Sequence, residues 1–154
     1  MSKLKLNIVI VGAGNVAWHL AKELQKKEQK IIQVYNRSVE PAISLSQHLN
    51  CDFTSRIEDI NENADLYILT VKDSVIEEVS KLIKIKNKLI VHTSGAVEQN
   101  IIKHKRRGVF YPLQTFSKEI PSFRVNLFGE SSLCKFFIIF HTWLLKTLNL
   151  NTTL

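Results

Sequence analysis

The chain has 154 residues, 45% of them hydrophobic, with only 5 Gly and 3 Pro, which excludes collagen-like, low-complexity and intrinsically disordered classes and suits a globular domain with a sizeable core. The formal charge of +7 is uneven, because residues 1–100 carry 13 basic and 12 acidic side chains whereas residues 101–154 carry 8 and 2. The basic run Lys103, Lys105, Arg106, Arg107 has no interleaved aromatics and reads as a solvated helix end rather than a nucleic-acid contact, and no apolar run reaches the ~20 residues needed to cross a bilayer.

Residues 6–11 (LNIVIV) form a nearly continuous apolar run ending at Gly12, the pattern of a strand buried on both faces. Val16, Ala17, Leu20, Ala21 and Leu24 then recur at helical spacing, with Lys and Gln on the outer side. Residues 31–35 predict a second strand, 41–49 a short helix, and 51–54 an extended piece leading to 57–61. The β-branched and aromatic run 65–71 predicts a strand, 74–83 a helix with Val75, Val79, Leu82 and Ile83 inward, and 89–92 another strand. A helix over 96–105 and a strand over 108–111, stopped by Pro112, complete the alternation. Strands that alternate with helices predict an α/β fold, a doubly wound parallel sheet, since parallel strands need crossovers that helices supply. Residues 123–154 show no sustained period, so the expected organisation is a sheet domain over 1–122 and a short irregular or helical tail over 123–154.

Gly12-Ala13-Gly14-Asn15-Val16-Ala17 is the G-x-G-x-x-A form of the dinucleotide fingerprint, set between a predicted buried strand and a helix as that motif requires. Gly12 permits a tight turn, Gly14 leaves room for a pyrophosphate, and Ala17 allows close packing of helix on sheet. The helix N-terminus offers N–H groups and partial positive charge to phosphates. At the end of the second strand, where an acidic residue would accept from the ribose 2′-OH of NAD, stand Asn36, Arg37 and Ser38. An arginine and a hydroxyl there suit a 2′-phosphate, so the expected cofactor is NADP. Val71 is expected to pack on the nicotinamide or ribose, and Thr93 and Ser94 to orient a substrate.

His92 is a candidate proton donor, although a buried, hydrogen-bonded or capping role is the plainer expectation. His92 and Ser94 are the candidate catalytic residues, and Ser94 lacks the G-x-S-x-G setting of a hydrolase nucleophile. Asp73 or Ser74 is expected to cap the next helix. The remaining histidines share no metal-ligand spacing, so no metal is expected. Cys51 and Cys134 lie far apart without metal-ligand spacing, and residues 1–5 run straight into a strand pattern without a signal peptide, which together favour a reducing cytoplasm.

The stretches at 8–24 (IVIVGAGNVAWHLAKEL), 34–38 (VYNRS), 64–79 (ADLYILTVKDSVIEEV), 92–97 (HTSGAV) and 108–118 (GVFYPLQTFSK) resemble a family of bacterial proteins. In that family a Rossmann-like domain precedes a C-terminal domain of unknown function, and its relatives are pyrroline-5-carboxylate reductases and deazaflavin-dependent NADP oxidoreductases. The combination of HTSG with FYPLQTFSK is the more specific part. The resemblance implies an NADP site built by Gly12, Gly14, Asn15, Val16, Arg37 and Val71, with His92, Ser94, Pro112 and Gln114 near the nicotinamide end. It ends near Ser122, where relatives continue into a helical domain that closes the cleft and forms much of a homodimer, so 123–154 reads as a truncated or frameshifted end. The functional expectation is an NADP(H)-dependent oxidoreductase, or the remnant of one, acting on a small metabolite. The alternative is a non-catalytic nucleotide-binding or partner-docking module, favoured by the lack of an assignable acid–base pair.

Overall fold

The computed structural model describes residues 5–110. They build six strands: β1 Asn7–Val11, β2 Lys30–Tyr35, β3 Asp52–Thr54, β4 Leu66–Leu69, β5 Leu89–His92 and β6 Arg107–Val109. Three α-helices join them, α1 Asn15–Lys26, α2 Val39–Leu49 and α3 Ile76–Leu82. All strands are parallel, in the order β3-β2-β1-β4-β5-β6, so this is the doubly wound α/β sheet that the alternation predicts. The register sets Val11 beside both Tyr35 and Leu69, Leu69 beside His92, and His92 beside Val109. The loops after β1, β2, β4 and β5 therefore leave one edge of the sheet together, and the order reverses between β1 and β4.

Strand alternation divides the core between two faces. Val9, Val11, Tyr67, Leu69 and Ile90 pack with Ile76, Ile83 and Ile102 from the crossovers that precede β5 and β6. Helices α1 and α2 bury Ala17, Leu20, Ala21, Leu24, Ala42, Leu45 and Leu49 and contact β1, β2 and β3. They also hold each other, with the Gln25 amide donating to the Leu49 carbonyl at 2.7 Å and the Trp18 and His48 rings 5.2 Å apart. Gln33, buried within β2, donates to the Asp59 carbonyl at 3.0 Å and accepts from the Asn61 N–H at 2.7 Å, so its amide fastens the β3–β4 crossover to the sheet.

Two predicted elements differ. The crossover from β5 to β6 holds one 3-10 turn, Gln99–Ile101, in place of a helix over 96–105. Its apolar groups are seated by that single turn, which buries Ile102, while the His104 ring is taken up by the Ser80 carbonyl at 2.8 Å. Helix α3 begins at Ile76 after a 3-10 turn and buries Ile76 and Ser80; Val79 packs against the core and Ile83, just after the helix, lies in it, as expected, whereas Leu82 stands 47% exposed instead of facing the core. The tail over 123–154 lies outside the described residues. Among the described residues no helix is long and apolar enough to cross a membrane.

Candidate functional site

The two glycines of the fingerprint have different surroundings. Gly12 is buried at φ +117°, and a Cβ built on it would lie 2.7 Å from Thr70 Oγ1 and 2.9 Å from the Thr70 carbonyl oxygen. Gly14 is exposed, and a Cβ there would meet nothing within 4 Å among the described residues. Gly14 is also the N-cap of α1, with no side-chain cap and no acidic residue in the first turn. The first N–H groups of a twelve-residue helix thus have no acceptor from a capping side chain, and among the described residues the space beside Gly14 is open. Asn15 is exposed and Val16 half-buried beside them, while Ala17 is fully buried against the sheet. This arrangement fits the pyrophosphate of a dinucleotide: donors, partial positive charge, and room a side chain would otherwise fill.

Asn36, Arg37 and Ser38 follow β2 on the same edge. The Asn36 N–H donates to the Thr54 carbonyl at 3.2 Å and its side-chain amide to the Ser38 carbonyl at 2.9 Å, which folds this turn onto itself. Arg37 is exposed, and Ser38 is the exposed N-cap of α2 with no side-chain cap bond. The Tyr35 phenol just beneath is pushed up by burial, with Arg37 opposing and Glu58 reinforcing the shift.

Beyond β4, Thr70 is buried and Val71 half-buried against the core. Asp73 starts a 3-10 turn, and neither Asp73 nor Ser74 makes the expected capping bond: the residues preceding the turn and α3 are Lys72 and Val75, without side-chain caps. Beyond β5, the Thr93 hydroxyl donates to the Leu69 carbonyl at 3.3 Å, and the Ser94 hydroxyl accepts from the Ala96 N–H at 3.1 Å. Both hydroxyls expected to orient a substrate thus have backbone partners. Gly12, Gly14, Asn36–Ser38, Val71, His92 and Ser94 all lie on the carboxyl edge, gathered from four strands, whereas Pro112 and Gln114 lie outside the described residues. A groove of about 650 Å³ lined by Gln33, Ile43, Ser46, Cys51, Asp52 and Phe53 takes in none of them. The Cys51 thiol there is pushed up to about 11 by burial and the Asp52 carboxylate, which leaves it protonated at neutral pH.

His92 is 0% exposed, the buried position expected, and among the described residues neither ring nitrogen has a partner within good hydrogen-bond geometry. Burial holds its pKa below the ordinary 6.5, with the Glu98 backbone and the Asp73 carboxylate opposing. The folded protein therefore binds fewer protons at this ring than the unfolded chain as pH falls below 6.5. Stability present above that pH is lost progressively below it, down to the depressed folded pKa. The urea midpoint is expected to fall between pH 7.5 and pH 5.5, and His92→Leu to flatten that fall. An undiminished pH dependence in the variant would assign the effect elsewhere.

Thr70 and Gln33 escape reasoning from sequence. A polar residue within or just after an apolar strand is a signal for each, but the carbonyls they grip lie 59 and 26 residues away.

The sequence matches the family described as NADP oxidoreductase, coenzyme F420-dependent, over residues 7–95, and the chain belongs to this family. Among solved structures it is similar to a candidate NADP oxidoreductase from Bacteroides fragilis, at 40% identity and TM-score 0.68, over 73% of this chain and 46% of that one. A protein from Thermotoga maritima matches at 21% identity and TM-score 0.58, over 71% of this chain and 41% of that one. A pyrroline-5-carboxylate reductase from Coxiella burnetii matches at 22% identity and TM-score 0.56, over 64% and 39%. The last two share the fold, and the chain spans less than half the length of all three. No curated protein matches.

Proposed function

We propose that the carboxyl edge binds NADP(H) and that the chain carries the cofactor domain of an oxidoreductase acting on a small metabolite. The observation that carries this reading is the open space at Gly14 above the uncapped N-terminus of α1. The N–H groups from Gly14, Asn15 and Val16 would receive the pyrophosphate, Asn36, Arg37 and Ser38 the 2′-phosphate, and Val71 the ribose or nicotinamide. The nicotinamide, when bound, supplies the hydride chemistry, and the protein's part is to bind and orient it. A guanidinium and a hydroxyl at the end of β2, with no carboxylate among residues 36–38, support NADP over NAD. The second reading, a nucleotide-binding module without its own catalysis, is favoured by the full burial of His92 and by the use of the Ser94 hydroxyl on the backbone. A survey of small imines and carbonyls as substrates for NADPH oxidation separates the two.

Arg37→Ala is expected to weaken NADPH by about 1–3 kcal/mol, the worth of a charge-assisted hydrogen bond, and NADH much less. Calorimetric titration of both cofactors measures it. Equal losses would remove Arg37 from the 2′-phosphate.

A further inference from the structure

The carbonyls that end β1 and β4 are each held twice by one threonine from the neighbouring strand. The Val11 carbonyl accepts from the Thr70 N–H at 2.8 Å and from the Thr70 hydroxyl at 3.1 Å. One strand over, the Leu69 carbonyl accepts from the Thr93 N–H at 3.1 Å and from the Thr93 hydroxyl at 3.3 Å. A parallel ladder brings one N–H to each such carbonyl, and the hydroxyl occupies the second lone pair. On the far side, the Gly12 N–H donates to the Tyr35 carbonyl at 2.7 Å. The peptide group joining Val11 to Gly12 is therefore gripped by β4 through its oxygen and by β2 through its nitrogen, at the point where the strand order reverses.

We propose that Thr70 is a positioning residue for the dinucleotide, acting through the Val11–Gly12 peptide, and that Thr93 supports it one strand further out. This rests on the reading of the Gly12–Gly14 loop as the pyrophosphate site. The orientation of that peptide sets the direction in which the chain enters the turn, and so where the first N–H groups of α1 point. Threonine is stiff at χ1, so its hydroxyl is held in place with little entropy to lose, and at 9% exposure water competes poorly for the Val11 carbonyl. Thr70 also occupies the space beside Gly12, which ties the loop's left-handed residue to the same side chain.

The test uses the full chain with Thr70→Val, which keeps the shape and removes the hydroxyl, Thr70→Ser, which keeps the hydroxyl, and Thr93→Val. Thr70→Val is expected to raise the Kd for NADPH about tenfold, the loss of one buried hydrogen bond, with Thr70→Ser within about twofold of the unmodified chain and Thr93→Val in between. Without nucleotide, amide hydrogen exchange over residues 12–16 is expected to quicken in Thr70→Val and not in Thr70→Ser. Equal binding by the Val and Ser variants, or exchange unchanged in the Val variant, overturns the proposal. Should Thr70→Val fail to fold, Thr93→Val and Thr70→Ser decide: an unchanged Kd in the first, or a Thr70→Ser loss as large as tenfold, overturns it. If the unmodified chain binds no dinucleotide, the functional reading fails and the positioning role with it. Loop exchange that responds only to the hydroxyl would then identify Thr70 as a purely structural clamp.

Discussion

Gly14→Val is expected to abolish NADP(H) binding, by at least about 100-fold or about 3 kcal/mol, and to leave the fold and its urea midpoint nearly unchanged. Both halves follow from one geometry. The backbone of Gly14 sits at φ −82° and ψ −170°, extended values open to any L-residue, and a Cβ there meets no heavy atom of the described residues within 4 Å. No side-chain cap is lost, because Gly14 supplies none. The added isopropyl group would instead stand where the pyrophosphate approaches the first turn of α1. Circular dichroism and a fluorescence titration on the same sample measure the two effects. A folded variant that binds as well as the unmodified chain would reduce the motif to a turn.

Gly12→Ala is expected to do the reverse and cost about 3 kcal/mol or more of folding stability. Gly12 lies at φ +117°, which an alanine adopts only with strain of about 1–3 kcal/mol. Its methyl would press on Thr70 Oγ1 at 2.7 Å and on the Thr70 carbonyl at 2.9 Å, in a buried place where overpacking adds about 1–3 kcal/mol. Neither Thr70 group can give way cheaply, since its N–H and hydroxyl both hold the Val11 carbonyl. Urea unfolding measures the loss, and a midpoint equal to that of the unmodified chain would refute the packing argument. Two glycines of one short motif thus separate a folding role from a binding role.

Most of the sheet is legible because buried parallel strands need apolar runs: the runs over 6–11, 31–35, 65–71 and 89–92 each hold a strand, the third ending two residues early at Leu69. The fingerprint was legible because its glycines and alanine answer local needs, a tight turn and close packing, that hold in any chain with this βα context. The helix predicted over 96–105 failed for the complementary reason. Val97, Ile101 and Ile102 have helical spacing, but one 3-10 turn is enough to bring them to the core face, and the His104 ring is held by the Ser80 carbonyl.

Residue order alone settles the class of fold, the strand that carries the glycine loop, and the chemical character of the loop after β2. These depend on periodicity and on side-chain types within a few residues of one another. Long-range packing settles which glycine is crowded, that His92 is enclosed without a hydrogen-bond partner among the described residues, and that the hydroxyls of Thr70 and Thr93 serve the backbone. Each of those outcomes turns on a neighbour more than twenty residues away along the chain or on burial by the assembled sheet, and no local pattern encodes a distance across strands.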